Sequence, residues 1–240
     1  MAVRLSVNIN KVALIRNARG GNRPDLVQFA KDCEEYGAQG ITVHPRPDER
    51  HIRYDDLQKL KDVVKTEFNI EGYPTKKFID KVCQVKPDQV TLVPDPPEVL
   101  TSSEGWDAIK HASFLKEVIS EFKNNEIRVS IFLEADPKDV IAAKQTGTDR
   151  VEFYTGKYAD SYMNSKEEAI KNHILAAKEA KIQDLGINAG HDLDLDNLKY
   201  YAQSLPNLLE VSIGHALISD ALYYGLQNII GMYKFQLKNI

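Results

Sequence analysis

A (β/α)8 barrel, an α/β fold, is what this sequence predicts, on three observations. Eight short β-branched runs alternate with amphipathic helical stretches from one end to the other. The chain has 240 residues, close to the ~250 typical of that fold. No linker or shift in composition divides it, so residues 1–240 read as one domain. A doubly wound open sheet is the alternative, but it asks for a glycine-rich βα turn near the start and usually fewer strands.

The strands are predicted at Leu5–Asn8, Gly40–Val43, Phe68–Glu71, Gln89–Val93, Arg128–Leu133, Arg150–Tyr154, Asp184–Asn188 and Glu210–Ile213. Helices are predicted at Asp25–Tyr36, Asp55–Thr66, Thr75–Val85, Trp106–Asn124, Pro137–Thr146, Lys166–Lys181 and Leu195–Ser204. Boundary signals agree with this division. Asp136-Pro137 is an N-cap followed by proline at the first helical position, and Asp194 precedes the helix at Leu195. Gly37 and Gly147 each follow a helix directly.

Composition narrows the function. The chain is 42% hydrophobic and 28% charged, with a net charge of −4 and no block of Lys or Arg, so nucleic acid is not the expected partner. No apolar run approaches the ~18 residues of a membrane span, and the start lacks the apolar core of a signal peptide. Cys33 and Cys83 have no CxxC or Cys/His neighbours. Structural zinc is therefore not expected, and a reducing cytoplasm is.

In a (β/α)8 barrel, chemistry gathers at the C-terminal ends of several strands. The stretch "GITVHPRPDERH", residues 40 to 51, runs from a buried strand into a loop holding His44, Arg46 and His51, with Pro45 and Pro47 stopping any ladder. The other strand ends carry Asn8, Glu71, Glu134, Glu152, His191 and Gly214-His215, whereas His111 and His173 fall in helical stretches. Histidine exchanges protons near neutral pH. A carboxyl in a barrel mouth is partly desolvated, which raises its pKa and suits it to acid or base work. Such a set fits enolisation, dehydration and condensation.

Phosphate is the expected handle. The loops after strands seven and eight read "NAGHD" and "IGHA", and both lead towards helices whose first N–H groups can hold an anion. Arg19 in "RNARGGN", Arg46 and His51 add donors, so two phosphate positions are expected. The long loop "PDPPEVLTSSEG", residues 94 to 105, reads as either a disordered tip or a lid, and as a lid it would supply Thr101 and Ser102 as hydroxyl donors on closure.

The segments "VNIN…RNARGGN", "GITVHPRPDERHI", "FNIEG", "EFYTG.YA", "NAGHDL" and "VSIGHALI" together resemble the pyridoxine 5′-phosphate synthase family, in order along almost the whole chain. The resemblance implies a barrel with extra helices. It also implies condensation of 1-deoxy-D-xylulose 5-phosphate with 3-amino-2-oxopropyl phosphate, releasing phosphate and water. By the same resemblance His44 is the general base, Glu71 a second acid/base, His191 the proton donor and Glu152 a stabiliser of charge. Arg46, His51 and Thr101 would hold the deoxyxylulose phosphate. Asn8, Arg19, the backbone at Asp192, and Gly214-His215 would hold the amino ketone phosphate. Two departures stand out: Asn10-Lys11 where much of the family has Asp-His, and Asp192 where it has Gly after the donor histidine. The family works without a metal or organic cofactor and assembles into octamers.

Two other chemistries fit less well. A metal-dependent hydrolase built on His44, His191, His215 and Glu71 would lack the usual HxH or HExxH spacing. A Schiff-base aldolase would need Lys11 or Lys157, and neither lies within an apolar strand. A non-catalytic scaffold would leave the polar strand ends unexplained.

Overall fold

The computed structural model describes residues 2–95 and 104–238. Eight parallel strands close into a barrel in sequence order: β1 (Arg4–Asn8), β2 (Gly40–Val43), β3 (Glu67–Gly72), β4 (Gln89–Leu92), β5 (Arg128–Leu133), β6 (Arg150–Tyr154), β7 (Gly186–Gly190) and β8 (Leu208–Ile213). β8 pairs back onto β1 through Arg4↔Glu210 and Val7↔Ile213, which closes the ring. The helices among the described residues are α1 (Asn10–Asn17), α2 (Leu26–Glu35), α3 (Tyr54–Lys61), α4 (Lys76–Val85), α5 (Ala112–Asn124), α6 (Pro137–Thr146), α7 (Gly156–Tyr162), α8 (Lys166–Ile182), α9 (Leu198–Ser204), α10 (His215–Tyr224) and α11 (Leu226–Gln236).

Several boundaries differ from the sequence reading, each for a local reason. β7 starts two residues late, because Asp184 takes φ +52° in the turn that ends α8. α3 stops at Lys61 rather than Thr66, where the Glu34 carboxylate takes the N–H groups of Lys65 and Thr66 into a turn. α5 begins at Ala112, with His111 as its N-cap, since the Trp106 ring is held outside the helix by stacking on Tyr73 at 5.7 Å. α9 begins at Leu198, and Asp194 accepts the N–H groups of Asp196 and Asn197 in the loop before it. Asp136 does cap α6, accepting from Lys138 N–H. Helices α1, α7 and α11 were not predicted, and α10 was expected after strand eight but given no range.

Strand alternation sorts the side chains into two populations. Leu5, Val7, Ile41, Val43, Phe68, Ile70, Val90, Val129, Ile131, Val151, Phe153, Ile187, Val211 and Ile213 are all fully buried within the apolar core. Burying each such side chain contributes on the order of 1.5–3 kcal/mol. The intervening positions are polar and bond to one another across neighbouring strands. Ser6 Oγ lies 2.8 Å from Thr42 Oγ1, Asn69 reaches Thr42 at 3.4 Å, and Thr91 Oγ1 donates to Asn69 Oδ1 at 3.1 Å. At the N-terminal end of the barrel, Glu67 meets Arg4, Arg128 and Arg150, and Arg128 also donates to Gln89. The barrel interior is therefore hydrogen-bonded, where this fold more often fills it with branched apolar side chains.

Candidate active site

At the C-terminal mouth of the barrel lies a cavity of about 490 Å³, lined by Asn8, Lys11, His44, Arg46, His51, Glu71, Glu152, His191, Asp192, Gly214 and His215. Ten of these were expected there from the sequence, and Lys11 was one of the noted departures. Arg19 is not brought to the cavity: it is exposed in the turn beyond α1. Thr101 and Ser102 fall outside the described residues, as does most of the expected lid. Glu134 sits at the rim, paired with Lys157 at 3.0 Å.

His44 leaves β2 one residue past the last ladder position, and its N–H donates to Asn10 Oδ1 at 2.9 Å. The imidazole is almost wholly buried. Burial first, then the charge of Arg46, holds its pKa well below 6.5. His44 is thus a neutral base at physiological pH. His51 follows the same logic, pushed down to about 4 by burial, then by Arg46, Arg50 and Lys11. Its Nδ1 accepts the Ile52 N–H at 2.9 Å, which assigns the proton to Nε2 and makes that nitrogen a donor.

The loop carrying these groups is fastened from beneath by α1. Arg16 is buried and forks onto Asp56 at 2.7 and 2.9 Å while also donating to the His51 carbonyl. Asn17 donates to the carbonyls of Glu49, Arg50 and His51. Within "RNARGGN", then, Arg16 and Asn17 hold the loop while Arg19 is exposed. Arg46 pairs with Asp95 at 2.8 Å, both side chains buried.

Glu71 and Glu152 are both buried on the cavity wall. Burial, then Glu152 and Asp95, hold Glu71 well above the usual carboxylate range. Burial and then Glu210 push Glu152 up to about 8, against a weaker opposing bond from Thr91 at 3.5 Å. Burial thus biases both carboxyls towards the neutral acid, and Glu152 holds its proton at pH 7. Asn8 Nδ2 lies 3.4 Å from Glu71 Oε2. Gly190 gives Glu152 its room, since a Cβ there would sit 2.5 Å from Oε1.

His191 follows β7 with φ +95°, a conformation costing a non-glycine residue about 1–3 kcal/mol. Its Nδ1 lies 2.7 Å from Asp192 Oδ2, and the Tyr154 ring meets it edge-on at 5.5 Å. The Asp192 N–H, expected to serve substrate, donates to Thr155 Oγ1 at 3.1 Å. α10 starts at His215 directly after β8, with Gly214 as N-cap and no side-chain cap, so its first turn opens on the cavity. The helix after β7 offers no such end, because α9 begins well past the mouth.

Sequence reasoning missed the groups that act from behind: Arg16, Asn17, Asp95 and Thr155. Each is a common residue type within a loop or helix end, with no spacing to single it out.

The family model described as "Pyridoxal phosphate biosynthesis protein PdxJ" matches residues 5–239. A pyridoxine 5′-phosphate synthase from Cytophaga hutchinsonii is 61% identical over 235 residues, covering 98% of this chain and 99% of the relative. The protein of the same name from Flavobacterium johnsoniae is 57% identical, with the same coverage of 98% and 99%. Among solved structures, 3-keto-L-gulonate-6-phosphate decarboxylase from Vibrio cholerae superposes with a TM-score of 0.66 at 8% identity, over 99% of this chain and 98% of that one. That likeness is of fold alone.

Proposed function

The chain belongs to the family of the pyridoxal phosphate biosynthesis protein PdxJ, and from that premise we propose that it makes pyridoxine 5′-phosphate. It condenses 1-deoxy-D-xylulose 5-phosphate with 3-amino-2-oxopropyl phosphate and releases inorganic phosphate and water. The observation that carries this reading is the convergence in one cavity of a buried imidazole, His44, and two buried carboxyls, Glu71 and Glu152, with burial pushing the first pKa down and the other two up. A base and groups biased towards the acid form then stand together, as imine formation and successive dehydrations require.

In this reading His44 removes the proton from carbon and Glu71 exchanges protons with the oxygen that leaves. His191, with Nδ1 engaged by Asp192, gives its proton through Nε2. Glu152 donates a hydrogen bond to developing negative charge rather than opposing it with a charge of its own. Raised carboxyl pKa values also lessen the negative charge that two phosphorylated substrates meet. Arg46 and His51 hold the deoxyxylulose phosphate, the latter through Nε2–H, with Thr101 completing that site by resemblance. Asn8, Gly214 and His215 hold the amino ketone phosphate at the open turn of α10, and Arg19 and the Asp192 backbone belong to that set by resemblance alone.

Neither a metal nor an organic cofactor enters this reaction, and no lysine forms an imine with substrate. Lys11, the lysine among the lining residues, is exposed rather than desolvated. No described helix is long and apolar enough to cross a membrane. A cytoplasmic location and an octameric assembly complete the proposal. Exposed Leu222, Tyr223, Tyr224 and Phe235 on α10 and α11 support self-association, which light scattering would measure.

The test is to mix purified protein with both phosphorylated ketones and measure pyridoxine 5′-phosphate and phosphate. His44→Ala and Glu71→Gln should each lower kcat by about 10²-fold or more. Near-normal turnover in either variant, or activity lost to a chelator and restored by zinc, would overturn the assignment.

A further inference from the structure

The two peptide groups that flank His191 are both tied to one hydroxyl. Thr155 Oγ1 donates to the Gly190 carbonyl at 2.8 Å and accepts the Asp192 N–H at 3.1 Å. The carbonyl belongs to the peptide that precedes His191, and the N–H to the peptide that follows it. Peptide groups are rigid planes, so fixing one on each side fixes φ and ψ of the residue between them. Thr155 N–H adds a further bond to the Gly190 carbonyl at 3.2 Å.

Thr155 is well suited to this task. It lies immediately after β6, next to β7 in the barrel, and it is fully buried. Its branched Cβ restricts χ1, so the hydroxyl has little freedom to turn away. The next peptide is held as well: Asn197, itself buried, donates to the Asp192 carbonyl at 3.1 Å. Asn197 is in turn anchored through its own carbonyl by the Tyr158 hydroxyl at 2.7 Å. A disfavoured backbone persists when its surroundings over-determine it, and here they do so from both sides of His191.

We propose that Thr155 is a positioning residue for the condensation, holding His191 in its left-handed conformation so that the imidazole faces the cavity. The proposal rests on the reading of His191 as proton donor. Thr155 itself touches no substrate. It acts through the geometry of the donor, and misplacing a catalytic group by about 1 Å can cost about 10²-fold in rate.

The test compares Thr155→Val, which keeps the volume and loses both bonds, with Thr155→Ser, which keeps the hydroxyl. Thr155→Val should lower kcat by about 10²-fold with KM for both ketones little changed, the pattern of a group needed only in the transition state. Thr155→Ser should restore most of that turnover. Combined with His191→Asn, Thr155→Val should add no further loss, because both changes remove the same function. His191→Asn alone at normal turnover would overturn the role of His191. A slow His191→Asn beside a normal Thr155→Val would overturn the positioning role only, as would a double variant that loses the product of the two effects.

A stability measurement covers the case in which Thr155→Val folds poorly. Glycine adopts positive φ without strain. Thr155→Ala should therefore lower Tm less in a His191→Gly background than in the natural chain. Equal losses in the two backgrounds would show that the hydroxyl does not hold the His191 backbone.

Discussion

Gly190 is the residue that lets Glu152 stand where it does: a side chain on this glycine would meet Oε1 at 2.5 Å and the Ser212 carbonyl at 3.0 Å. The two lie on paired strands, with Glu152 opposite Asn188 and Tyr154 opposite Gly190. Gly190 is not at positive φ, so the demand is purely one of space. Gly190→Ala should displace the carboxyl, costing about 1–3 kcal/mol as other overpacked cores do. Turnover should fall with it. Urea denaturation alongside steady-state kinetics checks both, and an unchanged pair would mean that Glu152 can move freely.

Glu152 supplies a prediction in pH. Its pKa is raised to about 8 in the folded chain, against about 4.3 when unperturbed. A raised acid contributes stability that is full below the lower value and is lost as pH rises through the higher one. The carboxyl is therefore a hydrogen-bond donor at pH 7 and becomes a buried anion above about 8. Glu152→Gln keeps a donor that does not titrate. It should retain much of the activity at pH 7 and lose the part of the alkaline decline that belongs to this group. A variant inactive at every pH would show that the ionised carboxylate is the working form.

Lys11 stands on the first turn of α1 at the cavity mouth, and its charge helps to hold the His51 pKa down. A cation there should assist the phosphate site proposed for His51 and Arg46. Lys11→Ala is expected to raise KM for the deoxyxylulose phosphate several-fold with kcat little changed, the sign of lost uniform binding. An unaltered KM for both substrates would make Lys11 a solvated rim residue.

His173 gives a prediction on stability alone. It is buried against Phe153, Tyr158 and Tyr201, with Nδ1 2.9 Å from the Tyr201 hydroxyl, and burial lowers its pKa to about 4. A depressed histidine contributes stability present above about 6.5, the unperturbed value, and lost as pH falls towards the folded value. His173→Gln should narrow the difference in urea midpoint between pH 7 and pH 4.5. An equal difference in both proteins would assign the acid loss to His44 and His51, which shift in the same direction.

The eight strands are legible in the sequence because β-branched residues recur with turn signals between them. The places of His44 and Glu71 follow from where those strands end, and that of Glu152 from its inward position within β6. The helices given no range from the sequence are illegible for physical reasons. α1 has only eight residues, too few for a clear period, and "HALISDALYY" in α10 mixes exposed and buried apolar side chains. Thr155 and Asn17 carry ordinary hydrogen-bonding groups whose partners come from distant loops, and spacing along one chain does not encode such contacts. Arg19 reads as a ligand from its motif, while Arg16 of the same motif is the arginine that folding buries.

The hydrogen-bonded barrel interior also leaves a calorimetric signature. Exposing apolar surface raises the heat capacity on unfolding, by about 0.45 cal/K/mol/Å², while exposing polar surface lowers it by about 0.26. Serine, threonine, asparagine, glutamine and glutamate inside the ring move this chain towards the second contribution, and the apolar layer outside the sheet supplies the first. The stability curve should then be flatter with temperature than in a barrel of equal length filled with valine and isoleucine. Such a chain reaches its melting temperature by a shallow slope, and cooling weakens it less.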